Sequence, residues 1–213
     1  MPKPSHAPRQ ARSRESERRL IKATIELLGQ GGLEGVSIPE VAERAGLTPG
    51  AVYRRFSDKN ALMERVVLDL LGTQLQHLQQ SLTPEVASQN TLQALVESLV
   101  RWLLASFRAN ATLVNAIRQF ARNSNHAAFK RRVAELETRT LQHLGAVLMT
   151  KHEHILHPEP EPALRLAIYT LSTTPLRLFL DKGYTNHAQL FPDDHDWLVR
   201  ELTRMFLGYI GAD

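Results

Sequence analysis

The sequence predicts an all-α protein of about nine helices, divided into an N-terminal three-helix head and a C-terminal helical bundle. Two observations lead to this prediction. Apolar residues recur at the spacing of an α-helix along most of the 213 residues, and no segment alternates apolar with polar residues long enough to form a strand. Helix caps and proline-rich interruptions predict a basic arm over residues 1–17, a head over 18–63 and a body over 64–213.

The chain begins with the arm and a first helix. Residues 1–17 hold several basic side chains and three prolines with almost nothing apolar, so we expect the arm to be disordered. From residue 18 onward, Leu20 and Leu28 belong to a broad apolar helical face, and Gly31-Gly32 ends the helix.

Two short capped helices follow. Ser37 caps the first, and Glu40 three residues later completes a capping box. This helix stops before Gly46, a residue that adopts positive φ without steric cost. Thr48 caps the second, with Pro49 at the first helical position. Two short helices joined by a tight glycine-containing turn indicate a helix-turn-helix unit, although a generic helical bundle has the same local pattern.

The remaining helices are longer. Ser57-Asp58 caps a helix whose apolar stripe runs from Leu62 to Leu82. Further helical patterns occur at roughly 91–108, 112–123, 126–152, 163–182 and 194–210. The proline-rich segment 157–162 marks a loop between two of them.

Composition restricts the class of protein. Hydrophobic residues make up 43% and charged residues 23%, which is typical of a globular protein. The absence of cysteine excludes disulfides and thiolate metal sites. No apolar run approaches the roughly 18–20 residues that a membrane span needs, and no signal-peptide pattern follows the basic N-terminus. We therefore expect a soluble cytoplasmic protein.

The positive charge is concentrated near the N-terminus. Residues 1–60 carry 11 Lys and Arg against 7 Asp and Glu, whereas residues 61–213 carry 15 of each. A local excess of positive charge is the electrostatic footprint of phosphate binding. The same excess also occurs on ordinary solvated faces, and Arg9, Arg12 and Arg14 of the arm are either minor-groove contacts or solubilising charge.

The second short helix has the residues that a recognition helix needs. A helix that lies in the major groove requires small residues at its tip and longer hydrogen-bonding groups one turn further on. The small residues here are Thr48, Pro49, Gly50 and Ala51, and the longer ones are Tyr53 and Arg54.

The head resembles that of TetR-family regulators, the tetracycline-repressor-like transcriptional regulators. The resemblance covers about residues 18–67 and is strongest in the run Ala45-Gly46-Leu47-Thr48-Pro49-Gly50 with Val52, Tyr53, Phe56, Lys59 and Leu62. It implies a helix-turn-helix DNA-binding domain in which Lys59 and Ser37 contact phosphate. Arg44 either binds phosphate or solvates its helix end. Over the body the resemblance is only architectural.

The body is expected to dimerise and to bind an effector. Its last two helices carry more apolar residues than one internal face needs, which suits a four-helix bundle across a two-fold axis. We assign to this dimer interface Leu176, Phe179, Leu198, Leu202 and Phe206. The candidate ligand pocket combines aromatic and polar side chains, namely Trp102, Arg118, Phe120, His143, Tyr169 and Thr173.

The sequence therefore predicts a homodimeric DNA-binding repressor that leaves a palindromic operator when a small molecule binds the body. One alternative is an effector-independent architectural or division-control protein on the same fold. Another is a helical binding module or enzyme whose head does not bind DNA. Enzyme motifs are absent from the sequence, and we expect neither catalysis nor a cofactor. His152, Glu153, His154 and His157 form a short cluster, which indicates a solvated helix end rather than a metal site.

Overall fold

The computed structural model describes residues 7–180, 192 and 194–212, and their side chains over 11–174, 192 and 194–212. Within these ranges the protein is all-helical, which confirms the predicted fold class. The α-helices are α1 Ala7–Gly31, α2 Ile38–Arg44, α3 Pro49–Tyr53, α4 Lys59–Ser81, α5 Pro84–Ser88, α6 Leu92–Ala109, α7 Ala111–Asn123, α8 Ala127–Met149, α9 Pro160–Leu180 and α10 His195–Ile210. A 3-10 helix spans His152–His154. None of the described helices is long and apolar enough to cross a membrane.

The described part of the chain has ten α-helices where the sequence predicts about nine, and α5 is the additional one. Thr83 caps α5 by accepting a hydrogen bond from the backbone N–H of Val86 at 3.3 Å, and Pro84 opens the helix. The sequence pattern shows only a boundary here, because five residues are too few for a helical apolar period to appear.

The arm is the other difference from the sequence prediction. Residues 7–17 are the first three turns of α1, not a disordered segment. Three contacts hold these turns in place: Arg55 donates to Ser13 Oγ at 2.9 and 3.0 Å, Arg65 pairs with Glu17 at 2.7 Å, and Arg18 pairs with Glu15 at 3.0 Å. The composition of the arm does not predict these contacts, because two of the three contacts join residues more than 40 positions apart in the sequence.

The chain divides into two compact units. The first, the head unit, consists of residues 1–70 and 112–130, and the second, the body unit, of residues 71–111 and 131–213. The core of the head unit is built by α1–α4, with fully or almost fully buried side chains including Leu20, Leu28, Val41, Val52 and Leu62.

Helix α7 belongs to the head unit although it is far from the other head helices in sequence. Ala116 is buried in the head core, and Leu113 and Phe120 pack against it. Phe120 also makes an edge-to-face contact with Phe129, with ring centroids 5.7 Å apart. At the start of α8, His126 Nδ1 lies 2.7 Å from Glu64 Oε2 on α4. These contacts are the reason that the compact head extends beyond its first 70 residues.

The body unit has its own apolar core, formed by α6, α8, α9 and α10. Its members include Val100, Leu148, Leu164, Val199 and Ile210. Two polar contacts outside this core fix helix positions. Arg101 on α6 donates to Asp196 on α10 at 2.6 Å, and this contact lowers the pKa of the Asp196 carboxyl. His143 Nε2 lies 2.9 Å from the carbonyl of Leu82, just after α4.

We expect Ala116→Leu to lower the free energy of unfolding by about 1–3 kcal/mol, because a larger side chain overpacks the head core at this buried position. Urea denaturation measures this change. Ala128→Leu is the matched control, since Ala128 is exposed in the same unit. Equal effects of the two substitutions would contradict the packing of α7 against the head.

Candidate DNA-binding interface

Helices α2 and α3 and the turn between them form a compact helix-turn-helix. After α2, the backbone N–H of Gly46 donates to the carbonyl of Glu43 at 3.0 Å, and that of Leu47 donates to the carbonyl of Ala42 at 2.8 Å. Gly46 has φ +64°, which L side chains rarely adopt. The glycine in the turn is therefore required by backbone conformation.

Helix α3 is capped at its start as the sequence predicts. Thr48 Oγ1 accepts a hydrogen bond from the backbone N–H of Ala51 at 3.3 Å, and Pro49 occupies the first turn. Thr48, Pro49 and Gly50 are exposed, while Ala51 is half-buried. The small residues thus form an accessible helix tip.

The two faces of α3 have opposite character. Val52 is fully buried in the head core, which fixes the helix. The neighbouring Tyr53 is 57% exposed although it is aromatic, and Arg54 is exposed as well. An exposed tyrosine beside an exposed arginine, on a helix with a small-residue tip, fits entry into the major groove of DNA.

Two of the predicted phosphate contacts have structural partners in the head. Ser37 caps α2, accepting from the backbone N–H of Glu40 at 3.3 Å and donating to its carboxylate at 2.6 Å. Arg44 donates to Gln30 Oε1 at 2.9 Å and lies 4.0 Å from a Glu26 carboxylate oxygen. Both residues remain exposed or half-exposed, so their contact with phosphate stays a prediction.

Lys59 is held more firmly than the sequence indicates. Its Nζ donates to the backbone carbonyl of Leu33 at 3.1 Å, and the side chain is part-buried. This bond also explains how a lysine is tolerated in the first turn of α4, where it opposes the helix dipole. The preceding Asp58 caps the helix, and its hydrogen bond from the N–H of Ala61, 2.8 Å long, lowers the pKa of the Asp58 carboxyl.

The six predicted pocket residues have separate environments. Phe120 and Arg118 lie on α7 in the head unit. Phe120 packs against the head core, whereas Arg118 is exposed. In the body unit, Trp102 and Tyr169 are exposed. His143 contacts Leu82, and the Thr173 hydroxyl donates to α9 carbonyls. The role of these six side chains as ligand contacts remains a prediction.

An open apolar groove of about 280 Å³ lies between α9 and α10. Its large apolar side chains Leu166, Met205 and Tyr209 are exposed, with exposed fractions of 53%, 66% and 43%. The full lining is Leu166, Ala167, Thr170, Leu171, Thr174, Leu202, Met205, Phe206 and Tyr209. Such a contiguous apolar surface is typical of an interaction site.

The groove lining differs from the set of residues predicted for the dimer interface. Leu202 and Phe206 line its floor but are only 8% and 4% exposed, so they belong mainly to the body core. Leu198 is half-buried, and the side chains of Leu176 and Phe179 lie outside the described residues. Sequence periodicity places Met205 and Tyr209 in the same apolar stripe, but it does not distinguish the inner edge of a stripe from the outer edge.

No cluster of three or more metal-ligating side chains occurs in the part of the chain that the structure describes. The histidines around the 3-10 helix instead pair weakly with one carboxylate, Glu153, at 3.6 Å from His152 and from His154.

The geometry defines the head as a helix-turn-helix DNA-binding domain. Residues 20–66 match the sequence profile of the family described as bacterial regulatory proteins, tetR family. The chain is 26% identical over 192 residues to the HTH-type transcriptional regulator BetI of Pectobacterium carotovorum, covering 87% of this chain and 93% of that one. The head therefore has the sequence pattern and the helix-turn-helix geometry of the tetR family's regulatory proteins, and the chain is similar to a transcriptional regulator over most of its length.

Solved structures share the fold. A protein of Mesorhizobium loti described as a TetR-family transcriptional regulator aligns with a TM-score of 0.72 at 22% identity, covering 92% of this chain and 97% of that one. The regulator FadR of Bacillus subtilis, solved in complex with stearoyl-CoA, aligns with a TM-score of 0.62 at 13% identity, covering 87% and 97%. At these identities the likeness concerns the fold.

We expect Arg54→Gln to weaken DNA binding without changing the free energy of unfolding, because the side chain is exposed and outside the core. Lys59→Gln should weaken DNA binding and also lower stability by about 1.5–3 kcal/mol, since it removes a charged hydrogen bond to Leu33. Fluorescence anisotropy with a duplex selected from a random pool, paired with urea denaturation, measures both quantities. Unchanged affinity in both variants would remove α3 and the start of α4 from the DNA-binding surface.

Proposed function

We propose that this regulator is a homodimeric repressor that binds a palindromic operator and is released by a small-molecule effector. The observation that carries the proposal is the exposed tip of α3, where Thr48 to Ala51 leave room for a base edge and Tyr53 and Arg54 extend beyond them. Arginine pairs well with guanine in the major groove, and tyrosine hydroxyls reach phosphate or base edges.

The α9–α10 groove supports dimerisation. A two-fold interface places the same patch of both subunits against each other, so a patch must be self-complementary. An apolar groove with Leu166, Met205 and Tyr209 at its edges offers both a cavity and protruding side chains. Two heads joined in this way would enter two successive major grooves on one face of the DNA. Helix-turn-helix dimers recognise inverted half-sites in this manner.

We expect Met205→Glu to convert the protein to a monomer, because it places an unpaired charge in a desolvated interface. Sedimentation velocity measures the change, and operator affinity should fall steeply because each half-site is then bound alone. Val86→Glu is the control, since Val86 is also an exposed apolar residue but lies on α5, outside the groove. A wild-type monomer, or a dimer that survives Met205→Glu, would contradict this assignment of the interface.

An unpaired hydroxyl in the body supports an effector site. Thr203 on α10 is 5% exposed, and its Oγ1 is buried without a hydrogen-bond partner. Burying an unsatisfied polar group costs stability, and a bound ligand that accepts a hydrogen bond would remove that cost. We propose that this hydroxyl donates to an effector bound in the body. The ligand in the Bacillus FadR complex, stearoyl-CoA, makes acyl-CoA a reasonable first probe.

The substitution Thr203→Val tests whether this hydroxyl lacks a hydrogen-bond partner, because it removes the hydroxyl and keeps the shape of the side chain. We expect the free energy of unfolding to rise by about 1 kcal/mol, because an unsatisfied polar group is lost. Thr24→Val is the matched control, since Thr24 is equally buried but its hydroxyl donates to the Leu20 carbonyl at 2.8 Å. That control should be destabilised. A similar destabilisation by both substitutions would mean that Thr203 has a partner, and the effector contact would lose its support.

Release by an effector requires tighter binding of the effector to the state that does not bind DNA. Stearoyl-CoA, free stearate, small aromatics and lipophilic cations serve as probes in a thermal-shift screen followed by DNA anisotropy. We expect one class to raise the melting temperature and to weaken DNA binding. If no class does either while the wild-type protein still binds DNA, the effector-independent alternative is favoured.

A further inference from the structure

Most basic side chains among residues 11–70 are already engaged within the protein. Arg44, Arg55, Arg65 and Lys59 donate to Gln30, Ser13, Glu17 and the Leu33 carbonyl respectively. Arg18 and Lys22 pair with Glu15 and Glu26. Among the described side chains of residues 11–70, the arginines without a hydrogen bond or ion pair are Arg12, Arg14, Arg19 and Arg54. Three of these four lie on α1, outside the helix-turn-helix.

Two of the three α1 arginines share a face. Arg12 and Arg19 are seven residues apart, which is about two helical turns, so their side chains project in nearly the same direction about 10 Å apart along the axis. Arg14 is two residues from Arg12 and therefore projects to the other side of the helix. Arg12 and Arg19 form a stripe that excludes Arg14.

Arg19, one member of this stripe, lies beside the turn of the helix-turn-helix. Arg19 Nη1 lies 3.7 Å from the position that a Cβ atom on Gly46 would occupy. Gly46 stands two residues before Thr48, the cap of α3. The guanidinium is therefore next to the start of the recognition helix, and Arg12 continues the positive charge away from it along α1.

The N-terminal turns of α1 are held against the rest of the head. Arg55, just after α3, donates through both terminal nitrogens to Ser13, and Arg65 on α4 pairs with Glu17. Ser13 and Glu17 lie about one turn apart, and Ser13 directly follows Arg12 in the chain. This fixation matters because a pre-organised cation loses less conformational entropy on binding than one on a disordered arm.

We propose that Arg12 and Arg19 form a second DNA contact, which binds backbone phosphates beside the groove that α3 enters. The inference rests on DNA binding by the head and adds a site outside the helix-turn-helix. Phosphate is the matching partner because two exposed, unpaired guanidiniums on one helix face complement a row of negative charges. The acidic side chain between them, Glu15, is paired with Arg18 at 3.0 Å. Arginine also binds phosphate through paired N–H donors. These contacts position the head and carry no base sequence information.

The test compares Arg12→Gln, Arg19→Gln and the matched control Arg14→Gln in the full chain. All three variants remove one positive charge from an exposed, unpaired arginine of the same helix. The duplex is one selected by the wild-type protein from a random pool, and its affinity is measured across a salt titration. We expect Arg12→Gln and Arg19→Gln each to flatten the slope of log affinity against log salt by about 0.9, and Arg14→Gln to leave it unchanged. The loss should be the same for duplexes with altered bases.

Each contrary result has a separate meaning. An equal loss in all three variants would show a general electrostatic effect and overturn the proposed contact. A loss confined to A·T-rich flanks would assign the arginines to the minor groove and overturn the phosphate assignment. If Arg54→Gln weakens binding while Arg12→Gln and Arg19→Gln do not, the second contact is wrong and DNA binding by α3 stands. A wild-type protein that binds no duplex would overturn both. Circular dichroism checks that the variants keep the helix content of the wild-type protein.

Discussion

The DNA-binding surface depends on the burial of Val52, which lies on the inner face of α3 and packs into the head core. Helix α3 has five residues, and a helix of that length is not stable alone in water. Helix α3 persists because the head core buries Val52 completely and buries Phe56, just after the helix, almost completely. The same anchoring turns Tyr53 and Arg54 toward solvent. The chemistry of the outer face is therefore positioned by apolar packing on the inner one.

The polar contacts around this core have a second role, which is to determine which cations remain available. Lys59 and Arg44 are bound to neighbouring segments of the head, and those bonds fix the ends of α4 and α2. Arg54, Arg12 and Arg19 have no such partners among the described residues. The available positive charge thus extends from the end of α3 to the outer turns of α1, a wider area than the helix-turn-helix alone.

Local signals in the sequence predict the head well. The start of α2 is set by the cap Ser37, and the start of α3 by the cap Thr48 after the turn at Gly46. Each cap bonds to a residue three positions further on, so these bounds can be predicted from local sequence. Long-range contacts are not predictable in this way. The ordering of residues 7–17 depends on Arg55 and Arg65, and the addition of α7 to the head depends on Ala116. In the body, periodicity finds the apolar stripe of α10 but does not separate the buried Phe206 from the exposed Met205.

The consensus of sequences selected by the purified protein from a random DNA pool tests DNA recognition by paired α3 helices. Two identical recognition helices related by a two-fold axis should select an inverted repeat whose half-site centres are about 34–36 Å apart, or a multiple of that distance. Enrichment of such a repeat by the wild-type protein, and its loss in Arg54→Gln, is the result that we predict. No enrichment, or one asymmetric motif that Arg54→Gln still selects, would contradict recognition by paired α3 helices.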